Sequence, residues 1–284
     1  MKKIISVLVL FLLIFQGTEA QDLISAKALT GIMKDKNVKI VSVRKASDYA
    51  KVHIEGAVNI DLKKMYKPGA VKSVLKSSSE IATYLGQHGI SNKNKIVIYG
   101  TGSGKSSGRL YWILKYLGCK DVKILNGHLK AWRTVRGKVT KIKPKVTPTK
   151  FTAVPVASYY ASTAYVKKNL NNSKVIIVDN RSSDEYTGLT GETVKKGHIS
   201  GAIHLDYAKV MNLPAQTLKS KAELTKIFNA AGITKNKEII LYCETSVRSG
   251  IVFLALKSVL GYPKVRIYDG AIYEWTAKGN SLVK

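Results

Sequence analysis

The chain carries one pattern twice, and no other feature limits its possible folds as much. Lys39-Ile40-Val41-Ser42-Val43-Arg44 returns as Val175-Ile176-Ile177-Val178-Asp179-Asn180-Arg181, and acidic-Tyr pairs follow, Asp48-Tyr49 and Glu185-Tyr186. His53-Ile54-Glu55-Gly56-Ala57-Val58-Asn59 returns as His198-Ile199-Ser200-Gly201-Ala202-Ile203-His204. Lys95-Ile96-Val97-Ile98-Tyr99 matches Glu238-Ile239-Ile240-Leu241-Tyr242, and Gly127 and Trp132 match Gly270 and Trp275. Equivalent residues lie 137 apart at Tyr49 and Tyr186 and 143 to 145 apart from His53 onward, so the second copy carries an insertion around Gly188 to Lys196. Five blocks in one order make this a duplicated domain.

Within each copy the short apolar runs are rich in Val and Ile and continuous, the pattern of strands buried on both faces of a parallel sheet. Amphipathic stretches alternate with them. Ser77 to Gly89 and Ser220 to Gly232 each end in Gly-Ile, a helix stop followed by a turn, and helices are expected over Gly108 to Leu117 and Ser249 to Leu260. The fold class is therefore α/β, each copy a mainly parallel sheet with helices on both faces. Pro144, Pro148 and Pro155, half of the six prolines, mark an extended connector. The expected domains are 21–137 and 158–284, joined by residues 138–157.

Residues 1–20 are expected to be a cleaved signal peptide: Lys2 and Lys3 precede a largely apolar run from Ile4 to Phe15, and Thr18-Glu19-Ala20 offers small residues before a cut. That run is too short for a membrane span, which needs roughly 20 residues. The expected product is an exported monomer, periplasmic or secreted, without a transmembrane anchor. Of the full charge of +29 it retains 45 Lys+Arg and 17 Asp+Glu, for +28. The lysines are spread from Lys27 to Lys284 and not gathered into one stripe, which argues against specific nucleic-acid binding and for general attraction of small anions. With only Cys119 and Cys243, the fold rests on apolar cores and not on a disulfide scaffold.

The copies diverge most informatively after Tyr99 and Tyr242. The first continues Gly100-Thr101-Gly102-Ser103-Gly104-Lys105-Ser106; the second continues Cys243-Glu244-Thr245-Ser246-Val247-Arg248-Ser249. Ligands of open α/β sheets sit at the carboxyl ends of strands beside helix N-termini, where Cys243 falls. Inward-pointing amides, the helix dipole and Arg248 each favour a thiolate and any anion beside it, so Cys243 is the candidate nucleophile. Cys119, between a helix and the strand from Val122, has Tyr262 as its counterpart and is expected to be structural. The first loop approximates a nucleotide-binding P-loop, but the required first glycine falls on Tyr99; it keeps the capacity to hold a small anion on its amides and Lys105. His53 and His198 suggest a shared scaffold hydrogen bond, and no Cys/His spacing fits a structural zinc site.

Asp179-Asn180-Arg181 leading to Glu185-Tyr186, then Gly197-His198-Ile199-Ser200-Gly201-Ala202, Tyr242-Cys243, and Tyr268-Asp269-Gly270 before Trp275 resemble the rhodanese family of sulfurtransferases, in the two-domain form whose second copy keeps the cysteine. The resemblance implies transfer of a sulfane sulfur from thiosulfate or a related anionic donor, through a Cys243 persulfide, to cyanide or a thiol. It also implies that the amides from Glu244 through Thr245, Ser246, Val247 and Arg248 to Ser249 cradle the persulfide, with Arg181, the motif's arginine, as a substrate-binding residue that is at least partly structural, and that no metal or organic cofactor is needed. Thiosulfate-using members tend to carry cationic residues after the cysteine, where this chain has Glu244; the family often has arginine where Glu185 stands. Arg248 is expected to offset Glu244. Phosphatase-type loops place five residues between Cys and Arg, whereas Glu244 to Val247 make four, a smaller ring better suited to a persulfide. The competing reading is a catalytically silent module that binds a sulfur-carrier partner or a polyanion.

Overall fold

A computed structural model describes residues 22–191 and 196–284. The expected leader, 1–20, and part of the expected insertion lie outside the described residues. Among the described residues no helix is long and apolar enough to cross a membrane.

The first half builds a five-stranded sheet from β1 (Leu23–Ile24), β2 (Val38–Ser42), β3 (Val58–Asn59), β4 (Lys95–Tyr99) and β5 (Val122–Leu125), in the order β1-β5-β4-β2-β3. The second repeats it with β6 (Tyr160–Ala161), β7 (Val175–Asp179), β8 (Ile203–His204), β9 (Glu238–Tyr242) and β10 (Val265–Tyr268), in the order β6-β10-β9-β7-β8. Every pairing within these two sheets is parallel. β4 and β9 are central, with Ile96 to Tyr99 and Ile239 to Tyr242 all buried, which is why their sequences do not alternate.

In the first half α1 (Ala26–Ile32), α2 (Ala46–Lys51), α3 (Ser78–Gln87), α4 (Lys105–Tyr116) and α5 (His128–Thr134) join the strands; in the second, α6 (Thr163–Lys168), α7 (Ser183–Thr187), α8 (Lys221–Ala230), α9 (Ser249–Leu254) and α10 (Ala271–Ala277) do so. α3 and α8 start at equivalent capping boxes, Ser77 with Glu80 and Ser220 with Glu223, which satisfy N–H groups that the helix cannot pair itself. α4 starts three residues earlier than its apolar periodicity suggests, because the polar Lys105-Ser106-Ser107 already winds as its first turn.

Each sheet has an outer apolar layer, Leu29, Leu129 and Trp132 in the first half and Val166, Ile272 and Trp275 in the second. Their inner faces share a single core in which Leu110, Trp112 and Ile113 of α4 meet Ile251, Phe253 and Leu254 of α9. The two helices cross at a glycine pair. A Cβ on Gly108 would lie 2.3 Å from the Ile251 nitrogen, and one on Gly250 would lie 2.3 Å from the Gly108 carbonyl carbon. No side chain fits between the backbones there.

Polar contacts fix the same junction. Arg109 Nη2 donates to Asp269 Oδ1 at 2.6 Å and to the Ser73 carbonyl at 2.8 Å, and the Leu75 N–H donates to Asp269 Oδ2 at 2.9 Å. Residues 138–157 run back along the first half. The Thr149 N–H donates to Gly86 O, the N–H groups of Val154 and Val156 donate to Leu117 O and Tyr116 O, and Phe151 enters the shared core.

Candidate active site

Cys243 follows the last residue of β9, the central strand of the second sheet, so it is anchored to a strand that parallel neighbours hold on both sides. The next residues turn tightly into α9. The Ile272 N–H donates to Cys243 O at 3.3 Å and the Tyr273 N–H donates to Glu244 O at 3.4 Å, tying the loop to the start of α10. Ser246 takes φ 59°, a left-handed conformation uncommon for a side-chain-bearing residue, and its buried hydroxyl donates to Tyr268 O. The Cys243 and Glu244 carbonyls and the Ser246 hydroxyl are thus turned into the protein. The N–H groups of Glu244, Thr245, Ser246, Val247 and Arg248 have no protein acceptor among the described residues. A run of unspent donors beside a buried sulfur is chemically able to hold an anion.

Cys243 is fully buried yet belongs to none of the apolar clusters. Cys119 is the contrast. It packs into the main core, where burial pushes its thiol up to about 12, and both cysteines are free. One is a core residue; the other sits in a polar loop.

The charge arrangement at the rim differs from expectation. Arg248 does not stand free to offset Glu244, because Glu185 at the start of α7 holds it in a two-pronged pair, Nη1 to Oε2 at 2.6 Å and Nη2 to Oε1 at 2.7 Å. Glu244 Oε2 lies 3.9 Å from the same guanidinium. Burial works to raise the Glu185 carboxyl, but the Arg248 hydrogen bonds and charge, helped by the Ser182 N–H and hydroxyl, prevail and hold it at about 2. For Arg248, burial works to lower its pKa; the Glu185 hydrogen bond, the nearby Cys243 sulfur and the Glu185 charge outweigh it and raise it. Glu185 was not expected in this role. It lies 63 residues from Arg248 in sequence, and its only local signal was the Ser182 capping box that fixes its backbone.

Arg181, expected to be partly structural as well as substrate-binding, has its guanidinium engaged by the scaffold. It is 2% exposed, its Nε donates to Asp179 at 3.0 Å, and its Nη2 donates to Asp179 Oδ2 and Gly197 O, each at 2.6 Å. Such a committed guanidinium braces the scaffold. Thr245 and Val247 are half-buried on the loop, and Ser249 is fully buried with its hydroxyl unpartnered. His53 and His198 stack on Tyr49 and Tyr186 at 3.9 and 3.7 Å, and each places Nδ1 against that tyrosine's carbonyl oxygen, at 2.9 and 3.0 Å. The shared scaffold role expected of these histidines is what their contacts describe.

The contact between Gly108 and Gly250 pairs Ser107 with Ser249, both fully or almost fully buried with unpartnered hydroxyls. On that pairing the first loop, residues 101–106, is one residue longer than the second, 244–248. The helix after the shorter loop restores the count. α9 continues as a π-helix over Ala255–Val259, with the Leu260 N–H donating to Ala255 O at 3.0 Å, and this wider turn absorbs one residue.

The Rhodanese-like domain family matches residues 25–134 and 162–278. The chain is 32% identical over 257 residues to the "Sulfur carrier protein TtuD" of Thermus thermophilus, covering 86% of this chain and 89% of that one. It is 30% identical over 239 residues to the "Thiosulfate sulfurtransferase" of Pseudomonas aeruginosa, covering 83% and 87%. Among solved structures it resembles the 3-mercaptopyruvate sulfotransferase SseA of Escherichia coli, with a TM-score of 0.80 at 25% identity over 88% of this chain and 98% of that one. A complex of EanB with ergothioneine, at 22% identity and a TM-score of 0.85, shares the fold over 94% of this chain and 71% of that one. Two matched copies in tandem, with full-length relatives named for sulfur transfer, make this chain a member of the rhodanese family.

Proposed function

We propose that the protein is a sulfurtransferase that carries a sulfane sulfur on Cys243. The observation that supports this best is the sulfur at the foot of a loop whose five N–H groups lack protein acceptors, with Arg248 beside it. The thiolate attacks the outer sulfur of a donor such as thiosulfate. The donor's S–S bond breaks, sulfite leaves with the electron pair, and Cys243 becomes a persulfide anion. The free amides stabilise the charge on the terminal sulfur as it forms. Cyanide or a thiolate then attacks that sulfur, restoring the cysteine thiolate as thiocyanate or a new persulfide departs. We place this chemistry after export, on the strength of the expected leader.

Intact-mass measurement after incubation with thiosulfate is the direct test. A gain of one sulfur in the wild type and none in Cys243→Ser, with unchanged circular dichroism, is the expected result. Turnover of thiosulfate and cyanide by Cys243→Ser at the wild-type rate would end the proposal.

A second reading has its own support. Glu185 and Glu244 against one Arg248 leave the rim with one net negative charge, unfavourable to a dianionic donor, and one relative is named a sulfur carrier. On this reading the chain is a silent binding module or receives sulfur from a less charged persulfide. A persulfide adduct from cysteine persulfide but not from thiosulfate selects that donor; no adduct from either selects the module.

A further inference from the structure

The first half's loop has Gly100 where the second has Cys243, and cations stand beside it. At its edge lies a cavity of about 490 Å³ lined by Arg44, Thr101, Lys130, Arg133 and Gln216, together with Leu129 and Thr134, and no acidic residue. Arg44 is the counterpart of Arg181. In the second half Asp179 neutralises that arginine, whereas the first half has Ser42 in its place. Arg44 Nη1 donates to Val52 O at 2.5 Å, but its buried Nε has no acceptor. Among the described residues no carboxylate forms an ion pair with Arg44, Lys130 or Arg133. Gln216, reaching in from the second half, is held at φ 59° with its buried Oε1 unpartnered.

The loop beside the cavity is prepared in the same sense. The N–H groups of Thr101, Gly102, Ser103 and Gly104 have no protein acceptor among the described residues, and they lead into the twelve-residue helix α4. Gly102 and Gly104 take φ 67° and 69°, left-handed conformations that glycine adopts without steric strain. Two side chains, each 1% exposed and unpartnered at one polar atom, lie under the loop. A Cβ on Gly100 would lie 2.7 Å from Ser107 Oγ, so this hydroxyl stands directly against the Gly100 backbone, in the place a side chain there would need. His128 takes the Gly100 N–H on Nδ1 at 3.4 Å, leaving Nε2 as the remaining donor, 3.3 Å from where a Gly104 Cβ would stand. Burial pushes His128 down to about 4, so it is neutral at physiological pH.

We propose that the Gly100–Ser107 loop, with Arg44 and Arg133, is a second binding site that takes a small divalent oxyanion of sulfur or phosphorus. The extra loop residue gives a wider ring than the one around Cys243, suited to several oxygens and not to one sulfur. Uncompensated cations and free amides supply the attraction. The anion binds without covalent change, and the site does not depend on sulfur transfer by Cys243.

The test is a titration of wild-type protein labelled with ¹⁵N-glycine, using sodium sulfate and, separately, sodium phosphate at constant ionic strength. Saturable movement of the Gly100, Gly102 and Gly104 amide resonances with either anion is expected; the two arms rank sulfur against phosphorus oxyanions. Arg133→Gln, at an exposed position, should weaken binding at least ten-fold, and Arg44→Gln should do the same if it folds. Cys243→Ser should bind as the wild type does. Glycine resonances that stay in place, drift without saturating, or titrate identically in folded Arg133→Gln would overturn the proposal.

Discussion

Replacing Glu185 by Gln tests the rim electrostatics. In the native protein the Glu185 carboxyl sits at about 2 against an ordinary 4.5, and its side chain is only 19% exposed, so solvent screening is modest. That difference corresponds to roughly 3 kcal/mol of stabilisation. The Gln amide oxygen keeps one hydrogen bond to Arg248, and Glu244 at 3.9 Å supplies part of the lost charge, so the net loss at pH 7 should be about 2 kcal/mol. Because the folded-state pKa is depressed, the carboxylate's contribution is fully present above about 4.5 and is lost as pH falls through about 2. The gap between wild type and Glu185→Gln should therefore shrink by more than half between pH 7 and pH 3. Urea denaturation followed by tryptophan fluorescence at both pH values measures it. A gap that is the same at pH 3, or absent at pH 7, would refute the account of Arg248 as a neutralised group.

Glu244→Gln should lower KM for thiosulfate about 5-fold with little change in kcat, since one carboxylate near an anion costs about 1 kcal/mol at 4 Å in water; an unchanged KM in steady-state kinetics contradicts the charge argument. Gly250→Ala should destabilise the protein by at least about 2 kcal/mol, because a Cβ 2.3 Å from the Gly108 backbone forces the crossing helices apart. A thermal midpoint within a degree of wild type would contradict that packing. Asp269→Asn should cost about 3 kcal/mol by leaving the buried Arg109 without a counter-charge, and Arg109→Met combined with it should recover part of the loss; no recovery in a thermal melt speaks against the pair.

Where the sequence was informative, the controlling interactions are local or repeated. The capping boxes at Ser77 and Ser220 are three-residue signals, and the buried runs of β4 and β9 declare themselves by composition. The position of Cys243 followed from the order of strand, loop and helix. The pairing of Arg248 has no local signal in the sequence, because its partner Glu185 is brought in by the sheet order, which places β7 beside β9. The unequal loops are hidden for a subtler reason. The shorter loop and the π-turn at Ala255–Val259 cancel in residue count, so Tyr99/Tyr242 and Trp132/Trp275 keep one spacing of 143 across both changes. Ser42 in place of Asp179 was visible, but it acquired meaning only once Arg44 Nε proved to be without an acceptor.

The common core has a consequence for what may be cut from this chain. Leu110, Ile113, Phe253 and Leu254 are each fully buried by the other half as well as their own. Severed at the connector, either piece would present a greasy helical flank to water and adhere to its like. The duplication is therefore obligatory for packing: the cysteine-free half cannot be dispensed with, because it covers the flank of the half that carries Cys243.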